Sequence, residues 1–336
     1  MARPASLLAA LALLAGCAPA TAAPYIGVNL SGAEYNPRRI PAKPHVDYVY
    51  PGPADLDYFL SRKLSSIRLP FRWERLQPRL RGPLDKKELA RIDAVVDHVA
   101  ARGGTVLLDP HNYARYRNML IGSPGLPSAA FADFWQRLAT HYAGNDRVLF
   151  GLMNEPHGIS SAQWFSAAQE AIDAIRTTGA RNLILVPGIA WTGAHSWFSR
   201  RGGSTNAIAF RTLSDPGDNI AVEVHQYFDH NFSGTSKSCR SATIGVEKIA
   251  PVTAWLRLHG YRGFLGEFGV STNPVCLRAL ERVLAHLTKN DDVWLGWTYW
   301  AGGPWLGKYP FNVSARDGAK EETPQLKLLM RYARPR

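Results

Sequence analysis

No block of basic residues longer than a few positions occurs in the sequence, although Lys and Arg outnumber Asp and Glu by 39 to 27 and the formal net charge is +12. A nucleic-acid-binding protein more often gathers its cations on one face or one helix. Scattered cations are typical of a solvated basic surface. We therefore expect no nucleic-acid partner, and leave open a weak attraction to an anionic cell surface or an acidic glycan.

Linkers, internal repeats and low-complexity segments are also missing after the first 23 residues. A chain of 336 residues suits one large α/β domain or two small ones, and a hydrophobic content of 46% can fill a sizeable core. Because no segment separates two units, we expect residues 24–336 to form a single domain.

The apolar run near the N-terminus, residues 7–15, is too short to span a membrane. Because Arg3 precedes it, the pattern is typical of a secretion signal, which we assign to residues 1–23. The Leu-Ala-Gly-Cys sequence ending at Cys17 resembles the lipobox of bacterial lipoproteins. It predicts cleavage before Cys17, lipidation of that residue, and a periplasmic or cell-surface protein anchored to a bacterial outer membrane. A later cleavage, after position 22 or 23, is the alternative and would release a secreted protein.

Only three cysteines occur in the chain. If Cys17 is lipidated or removed, Cys239 and Cys276 remain as an even pair in an oxidising compartment. We expect these two to form a disulfide.

Apolar segments of strand length alternate with helical patterns throughout the chain. In the segment 86–102, for example, the apolar residues recur on one helical face. The eight strand-like segments are 25–30, 66–71, 105–109, 147–150, 183–186, 220–225, 263–267 and 293–300. This alternation predicts an α/β protein with a single (β/α)8 TIM barrel, in which the helix between the fifth and sixth strands has the weakest pattern. A doubly wound open sheet is the alternative, but no Gly-rich phosphate loop follows the first strand.

Polar residues follow the buried strands at the ends where a parallel barrel carries its chemistry. The fourth strand stops at Asn154 and Glu155, and Pro156 prevents it from continuing. The residues expected at the same rim are Arg68, His111, His225, Tyr227, Glu267 and Trp300. Each of these residues taken alone could have a purely structural role, such as a helix cap or a core aromatic. Their coincidence at one rim predicts an active site with two carboxylates.

Six motifs in order resemble glycoside hydrolase family 5, and within it the endo-β-1,4-glucanases. They are IRLPFRW at 67–73, LDPHNYARY at 108–116, MNEPH at 153–157, VHQY at 224–227, GEFG at 266–269 and WAGGPW at 300–305. The resemblance implies a metal-independent retaining glycosidase without a cofactor, acting on internal bonds of a β-1,4-glucan.

The resemblance also implies roles for individual residues. Glu155 would be the general acid/base, and its pKa should be raised. Glu267 would be the nucleophile, kept ionised by Arg68. His225 and Tyr227 would orient the two carboxyl groups.

The remaining site residues would bind sugar. Asn154 suits the 2-hydroxyl group, and His111 would contact the same ring. Trp300 offers that ring a flat face, and Trp305 would extend the platform to the next sugar. Trp191 is a further cleft candidate, whereas Trp73 is expected in the core. The segment 306–308 departs from close relatives, which often carry an aromatic and an acidic residue there, so the outer subsites on the non-reducing side are left open.

Other functions remain as alternatives. The same scaffold serves β-mannanases and mixed-linkage β-glucanases. A metal-dependent hydrolase using His111 and His225 is disfavoured because no His-x-His or His-Glu-x-x-His spacing occurs. A cell-surface glycan-binding protein without turnover is disfavoured because both carboxylates are present. We expect a monomer whose partner is the polysaccharide.

Overall fold

The computed structural model describes residues 25–315 and 321–333. The predicted signal sequence, its cleavage site and Cys17 lie outside the described residues. Within the described ranges, no helix combines the length and apolar character needed to cross a membrane.

Eight parallel strands close into a barrel, which confirms the predicted single (β/α)8 barrel. The barrel strands are β1 (Tyr25–Leu30), β2 (Ser66–Phe71), β3 (Thr105–Pro110), β6 (Val148–Gly151), β7 (Ile184–Pro187), β8 (Ile220–His225), β9 (Gly263–Glu267) and β10 (Trp294–Gly302). Their order around the barrel is β1-β10-β9-β8-β7-β6-β3-β2. A small antiparallel pair, β4 (Arg115–Tyr116) and β5 (Met119–Leu120), follows β3 and was not predicted.

Helices surround the barrel and bury one face each. They are α1 (Pro53–Leu60), α2 (Trp73–Leu76), α3 (Lys86–Ala100), α4 (Ser128–Tyr142), α5 (Ser161–Thr177), α6 (Asn206–Ala209), α7 (Ile244–His259), α8 (Pro274–Lys289) and α9 (Pro324–Tyr332). In α3, for example, Ile92, Val95, Val96 and Val99 are buried, as the periodicity predicts. Asp85 caps this helix by accepting bonds from two backbone N–H groups of its first turn.

The helix predicted between β7 and β8, which had the weakest pattern in the sequence, is reduced to a single short turn of helix. The segment contains only the four-residue α6 and two short 3-10 turns, Ala194–Ser196 and Phe210–Thr212. Gly202 and Gly203, both with positive φ, interrupt the chain in the middle of this segment. A helix cannot continue through that backbone conformation, so most of the connection is available as irregular loop beside the barrel rim.

Strand alternation places an apolar layer below a polar layer inside the barrel. Leu107 of β3, Leu149 of β6 and Ala221 of β8 belong to one buried apolar cluster. Successive side chains of a strand point to opposite faces, so residues two and four positions after Ala221 share its inward face. These residues are Glu223 and His225, which lie nearer the carboxyl end of the strand.

The predicted disulfide between Cys239 and Cys276 is present, with an S–S distance of 2.04 Å. It joins the loop after β8 to the first turn of α8. This fixes one long loop of the rim to the helical layer.

Candidate active site

Glu155 and Glu267 come together with His225 at the carboxyl end of the barrel. One carboxylate oxygen of each glutamate and one nitrogen of His225 all lie within 4.8 Å of one another. The side chain of Glu155 is 15% exposed and that of Glu267 is 5% exposed. A reacting group in the cleft can therefore reach both carboxyl groups, although water has little access to them.

The backbone presents Glu155 in an unusual conformation. Its φ is +44°, in the left-handed region that residues with a side chain rarely adopt. Strain of this kind is found mainly where a surrounding structure requires it, and active sites are a frequent place. Here the turn after β6 carries Asn154 and Glu155 as neighbours and sends them to different partners.

Arg68 is the central cation of the site. It is 1% exposed and reaches three carboxylates: Glu267 at 2.8 Å, Asp109 at 3.0 Å and Glu223 at 3.1 Å. Its guanidinium also donates to the side-chain oxygens of Asn29 and Asn154. A buried charge with this many charge-assisted hydrogen bonds has a fixed orientation.

Each of the two close carboxyl groups has a further partner of its own. Tyr227 donates its hydroxyl proton to Glu267 from 2.9 Å. The Nδ1 atom of His225 lies 2.8 Å from Glu155 and 3.7 Å from Glu267. The sequence predicted both residues at this rim, and the structure places them there.

The environment moves the pKa values of the two glutamates in opposite directions. Burial raises the pKa of Glu155, and the negative charge of Glu267 adds to this, although the hydrogen bond with His225 opposes it. Burial also acts to raise the pKa of Glu267, but the positive charges of His225 and Arg68 outweigh it and hold that pKa below its ordinary value. Opposite shifts of this kind favour the neutral form of Glu155 and the charged form of Glu267.

The charges around His225 stabilise its protonated form. Burial lowers its pKa, but the charge of Glu267 and the hydrogen bonds with Glu155 and Glu223 raise it to about 10. The ring is 2% exposed, and its two nitrogens face carboxylates on opposite sides.

Asn154 is oriented by two neighbours. Arg68 has no acceptor atom, so its contact fixes the side-chain oxygen of Asn154 on that side. The amide nitrogen then faces Nε2 of His111 at 3.1 Å, while Nδ1 of His111 lies 2.7 Å from Asp109. In this arrangement Nδ1 of His111 carries a proton for Asp109 and Nε2 accepts from Asn154.

One cavity adjoins His111 and Trp300. Its volume is about 590 Å³, and Glu34, Tyr35, Tyr113 and Tyr309 are among the residues that line it. The rings of His111 and Trp300 are stacked at 5.5 Å. Trp305 is 38% exposed and packs against Tyr35 with ring centroids 6.5 Å apart, so it lies beside this cavity.

A second cavity, of about 460 Å³, shares Tyr113 with the first and includes Glu155. Trp191 lines it, is 49% exposed, and stacks on His157 at 4.7 Å. Three consecutive residues with positive φ, Ala190 to Thr192, turn the chain so that this indole faces the cavity. Glu155 therefore lines an aromatic cavity that adjoins the first one through Tyr113. Trp73 is fully buried in the core, as predicted.

Some residues of the site were missed from the sequence. Asp109 and Glu223 are buried partners of Arg68, and Glu34 and Tyr113 line the cavities. The alternation of β8 could have revealed Glu223, because the inward position of His225 implies the same face for the residue two before it.

Among the residues that the structure describes, two groups of side chains lie close enough to be compared with metal sites. They are Asp109, His111 and Glu267, and Glu155, His225 and Glu267. In both groups the shared carboxylate, Glu267, is already bonded to the guanidinium of Arg68. A second cation would have to be placed beside that charge, so we do not assign these side chains as metal ligands.

A model of the cellulase family, glycosyl hydrolase family 5, matches residues 28–303. The chain belongs to this family. Endo-beta-1,4-glucanase B of Aspergillus niger is 38% identical over 295 residues, which cover 88% of this chain and 86% of the fungal protein. Among solved structures, XacCel5A in complex with cellopentaose is 50% identical, has a TM-score of 0.90, and is matched over 92% of this chain and 99% of its own. The endo-beta-1,4-glucanase Xac0029 from Xanthomonas axonopodis pv. citri is 47% identical, with a TM-score of 0.90 and coverage of 92% and 98%.

These relationships confirm the family expected from the six motifs. The chain is a glycosyl hydrolase family 5 enzyme of the cellulase type, and its similarity to endo-β-1,4-glucanases extends over nearly all of the described barrel.

Proposed function

We propose that this family 5 enzyme is a retaining endo-β-1,4-glucanase that cleaves internal bonds of cellulose-type glucans, with Glu155 as general acid/base and Glu267 as nucleophile. The observation that carries the proposal is the short separation of the two carboxyl groups. One carboxylate oxygen of Glu155 and one of Glu267 lie within 4.8 Å of each other. Retaining glycosidases hold their carboxyl groups about 5–5.5 Å apart, whereas inverting enzymes need a wider gap for water.

The first step would be attack by Glu267 on the anomeric carbon. A bond forms between a carboxylate oxygen and that carbon, while the bond to the glycosidic oxygen breaks. Glu155 gives its proton to the departing oxygen, so the leaving chain departs as a neutral alcohol. The charges of Arg68 and His225 favour the ionised nucleophile before attack.

The second step would release the sugar. Glu155, now ionised, takes a proton from water, whose oxygen attacks the anomeric carbon and displaces Glu267 as a carboxylate. Two inversions at the same carbon give net retention. After the step Glu155 is again protonated and Glu267 is again negative.

The two cavities suit the two sides of the scissile bond. The cavity with His111, Trp300 and the neighbouring Trp305 would hold sugars on the non-reducing side, and Asn154 would contact the 2-hydroxyl group. The cavity that includes Glu155 and Trp191 would hold the leaving chain, since the acid must face the departing oxygen. An open cleft with sugar on both sides is what an internally cleaving enzyme requires.

The relatives support a β-1,4-glucan as substrate. XacCel5A has been solved with cellopentaose, and the Pseudomonas stutzeri endoglucanase Cel5A with cellobiose. The latter is 36% identical to this chain, with a TM-score of 0.85.

Proton NMR of the first product from a cello-oligosaccharide tests the mechanism. We expect the β-anomer to appear first and the α-anomer to grow only through mutarotation. Initial formation of the α-anomer would overturn the retaining assignment.

Initial rates on carboxymethylcellulose, mannan and mixed-linkage glucan test the substrate. Cleavage of mannan or mixed-linkage glucan in preference to cellulose-type glucan would favour a β-mannanase or a mixed-linkage β-glucanase. Tight binding of cello-oligosaccharides without release of reducing sugar would favour a glycan-binding protein.

We further propose an extracytoplasmic location and a monomeric state. The disulfide supports an oxidising compartment. Residues 1–23 would be the signal sequence and Cys17 a lipid attachment site, with residues 24–336 as the catalytic domain. Mass spectrometry of the mature N-terminus tests this, because cleavage after position 22 or 23 without a lipid would contradict the anchor.

A further inference from the structure

We propose that Glu223 is a positioning residue that couples the two catalytic glutamates, by holding Arg68 on one side and His225 on the other through its negative charge. The inference rests on the proposed function, because it concerns how the assigned acid and nucleophile are controlled.

Glu223 lies below the two glutamates on the inward face of β8. It is 1% exposed, and its Oε1 atom is 3.1 Å from Nε of Arg68 and 3.3 Å from Nε2 of His225. Its other carboxylate oxygen has no hydrogen-bond partner among the described residues. A buried carboxylate with one unpaired oxygen is costly, so its presence here calls for a compensating role.

The backbone around Glu223 leaves room for its carboxylate because residue 266 is a glycine. A Cβ atom at Gly266 would stand 2.2 Å from Oε1. Gly266 directly precedes Glu267 in β9. The end of β9 therefore both makes room for Glu223, at Gly266, and carries the assigned nucleophile, Glu267.

Each of the two partners of Glu223 contacts one of the assigned catalytic glutamates through a different nitrogen atom. Arg68 bonds Glu223 through Nε and Glu267 through Nη1. His225 faces Glu223 with Nε2 and Glu155 with Nδ1. Glu223 is therefore one bridging residue away from both assigned catalytic groups. Since it is almost fully buried beneath them, it acts through these bridges and does not touch sugar.

The charges facing Glu223 determine what its own charge does. The titratable groups around Glu223 and the two glutamates are Arg68 on β2, Asp109 on β3, His111 just after β3, Glu155 after β6, His225 on β8, Tyr227 after β8 and Glu267 on β9. A negative charge disfavours ionisation of nearby carboxyl groups and favours protonated His225. Removing it would lower the pKa of both catalytic glutamates and free Arg68 to pair more strongly with Glu267.

Two variants separate the charge of Glu223 from its shape. Glu223→Gln keeps the side-chain length and an oxygen for Arg68 but removes the charge. We expect both limbs of the kcat/KM profile on a cello-oligosaccharide to move to lower pH by about 0.5 to 1.5 units. Glu223→Asp keeps the charge but shortens the reach, so kcat should fall by roughly 10-fold or more with both limbs nearly unmoved. KM should change little in either variant, because Glu223 does not contact substrate.

Glu247→Gln is the matched control, since it removes a carboxylate that is exposed on α7. Its profile should equal that of the wild type. Unmoved limbs in a folded Glu223→Gln, or wild-type kcat in Glu223→Asp, would overturn the proposal. If Glu223→Gln does not fold, the result for Glu223→Asp decides it.

NMR titration of the His225 ring keeps this test separate from the proposed function. In Glu223→Gln the pKa of His225 should fall relative to the wild type, whether or not the protein cleaves glucan. A protein that cleaves no glucan but shows this fall in the pKa of His225 would contradict the proposed endoglucanase function and support the positioning role of Glu223. An active enzyme in which the pKa of His225 is unchanged by Glu223→Gln would contradict the positioning role of Glu223 and support the proposed endoglucanase function.

Discussion

The guanidinium of Arg68 lies 2.8 Å from Glu267, and the same nitrogen is 3.0 Å from Asp109. Removing a carboxylate from water is costly unless a partner compensates for the lost hydration. Arg68 supplies that partner at a depth where Glu267 is only 5% exposed. Glu267 can therefore be shielded from water and still carry its charge, which are the two properties that the proposed attack on a sugar carbon requires.

Glu267→Gln should abolish turnover, because an amide cannot form the covalent intermediate. We expect kcat to fall by roughly 10⁴-fold or more while the fold is unchanged. Circular dichroism and initial rates on a cello-oligosaccharide measure this. A 2-fluoro-sugar with a good leaving group should label the wild type at Glu267 and leave the variant unlabelled. A wild-type-like rate would remove Glu267 from the role of nucleophile.

Glu155→Gln should show a loss that depends on the leaving group. With a cello-oligosaccharide the alkoxide needs a proton, and kcat should fall by about 10²- to 10⁴-fold. With an aryl cellobioside whose phenol is strongly acidic, the first step no longer needs that proton. A burst of phenol should then be followed by slow turnover, which added azide accelerates. Equal losses with both substrates would contradict the assignment.

The pH profile should be bell-shaped, with each limb displaced from the ordinary value for glutamate. In the proposed mechanism, activity requires Glu267 to be charged and Glu155 to be protonated. The lowered pKa of Glu267 places the acidic limb below the ordinary value, and the raised pKa of Glu155 places the basic limb above it. Measurement of kcat/KM across pH tests this for the free enzyme. An acidic limb above the ordinary range would contradict a charge-stabilised nucleophile.

The strands and the residues at their ends were predictable because short-range signals define them. The bounds of β1, β2, β8 and β9 agree with the apolar runs of the sequence. Polar residues that interrupt such runs, including Asn154 and Glu155, were found for the same reason. The alternating pattern of a barrel then directs them to one rim.

The missed features depend on contacts between distant parts of the chain. Glu223 meets Arg68 across 155 positions, and no local pattern encodes that meeting. Trp191 was expected at the cleft, but the backbone that turns it there was not predicted: Ala190, Trp191 and Thr192 all take positive φ, although none of them is glycine. The surrounding fold imposes that conformation against local preference, so the sequence offered no signal for it.

Trp191→Ala should weaken binding of the leaving chain without destabilising the protein. The indole is 49% exposed, so its removal opens no core cavity. Loss of one stacking surface should raise KM by about 3- to 10-fold for cello-oligosaccharides that reach this side. Phe198→Ala is the matched control, because Phe198 is 45% exposed and is absent from the residues that line this cavity. An equal effect of both substitutions would contradict the platform.

Replacing Cys239 and Cys276 together by alanine should reduce stability while leaving the site geometry intact. The bridge closes a loop with a sequence separation of 37, and the entropy of such a loop in the unfolded chain corresponds to about 4 kcal/mol. Urea unfolding of the wild type, with and without a reducing agent, and of the double variant measures the difference. The reducing agent should destabilise the wild type and have no effect on the variant. At temperatures where both are folded, kcat/KM should stay close to wild type, since neither cysteine lines the two aromatic cavities. A large loss of activity without loss of stability would mean that the bridge holds the loop after β8, with Tyr227, in its catalytic position.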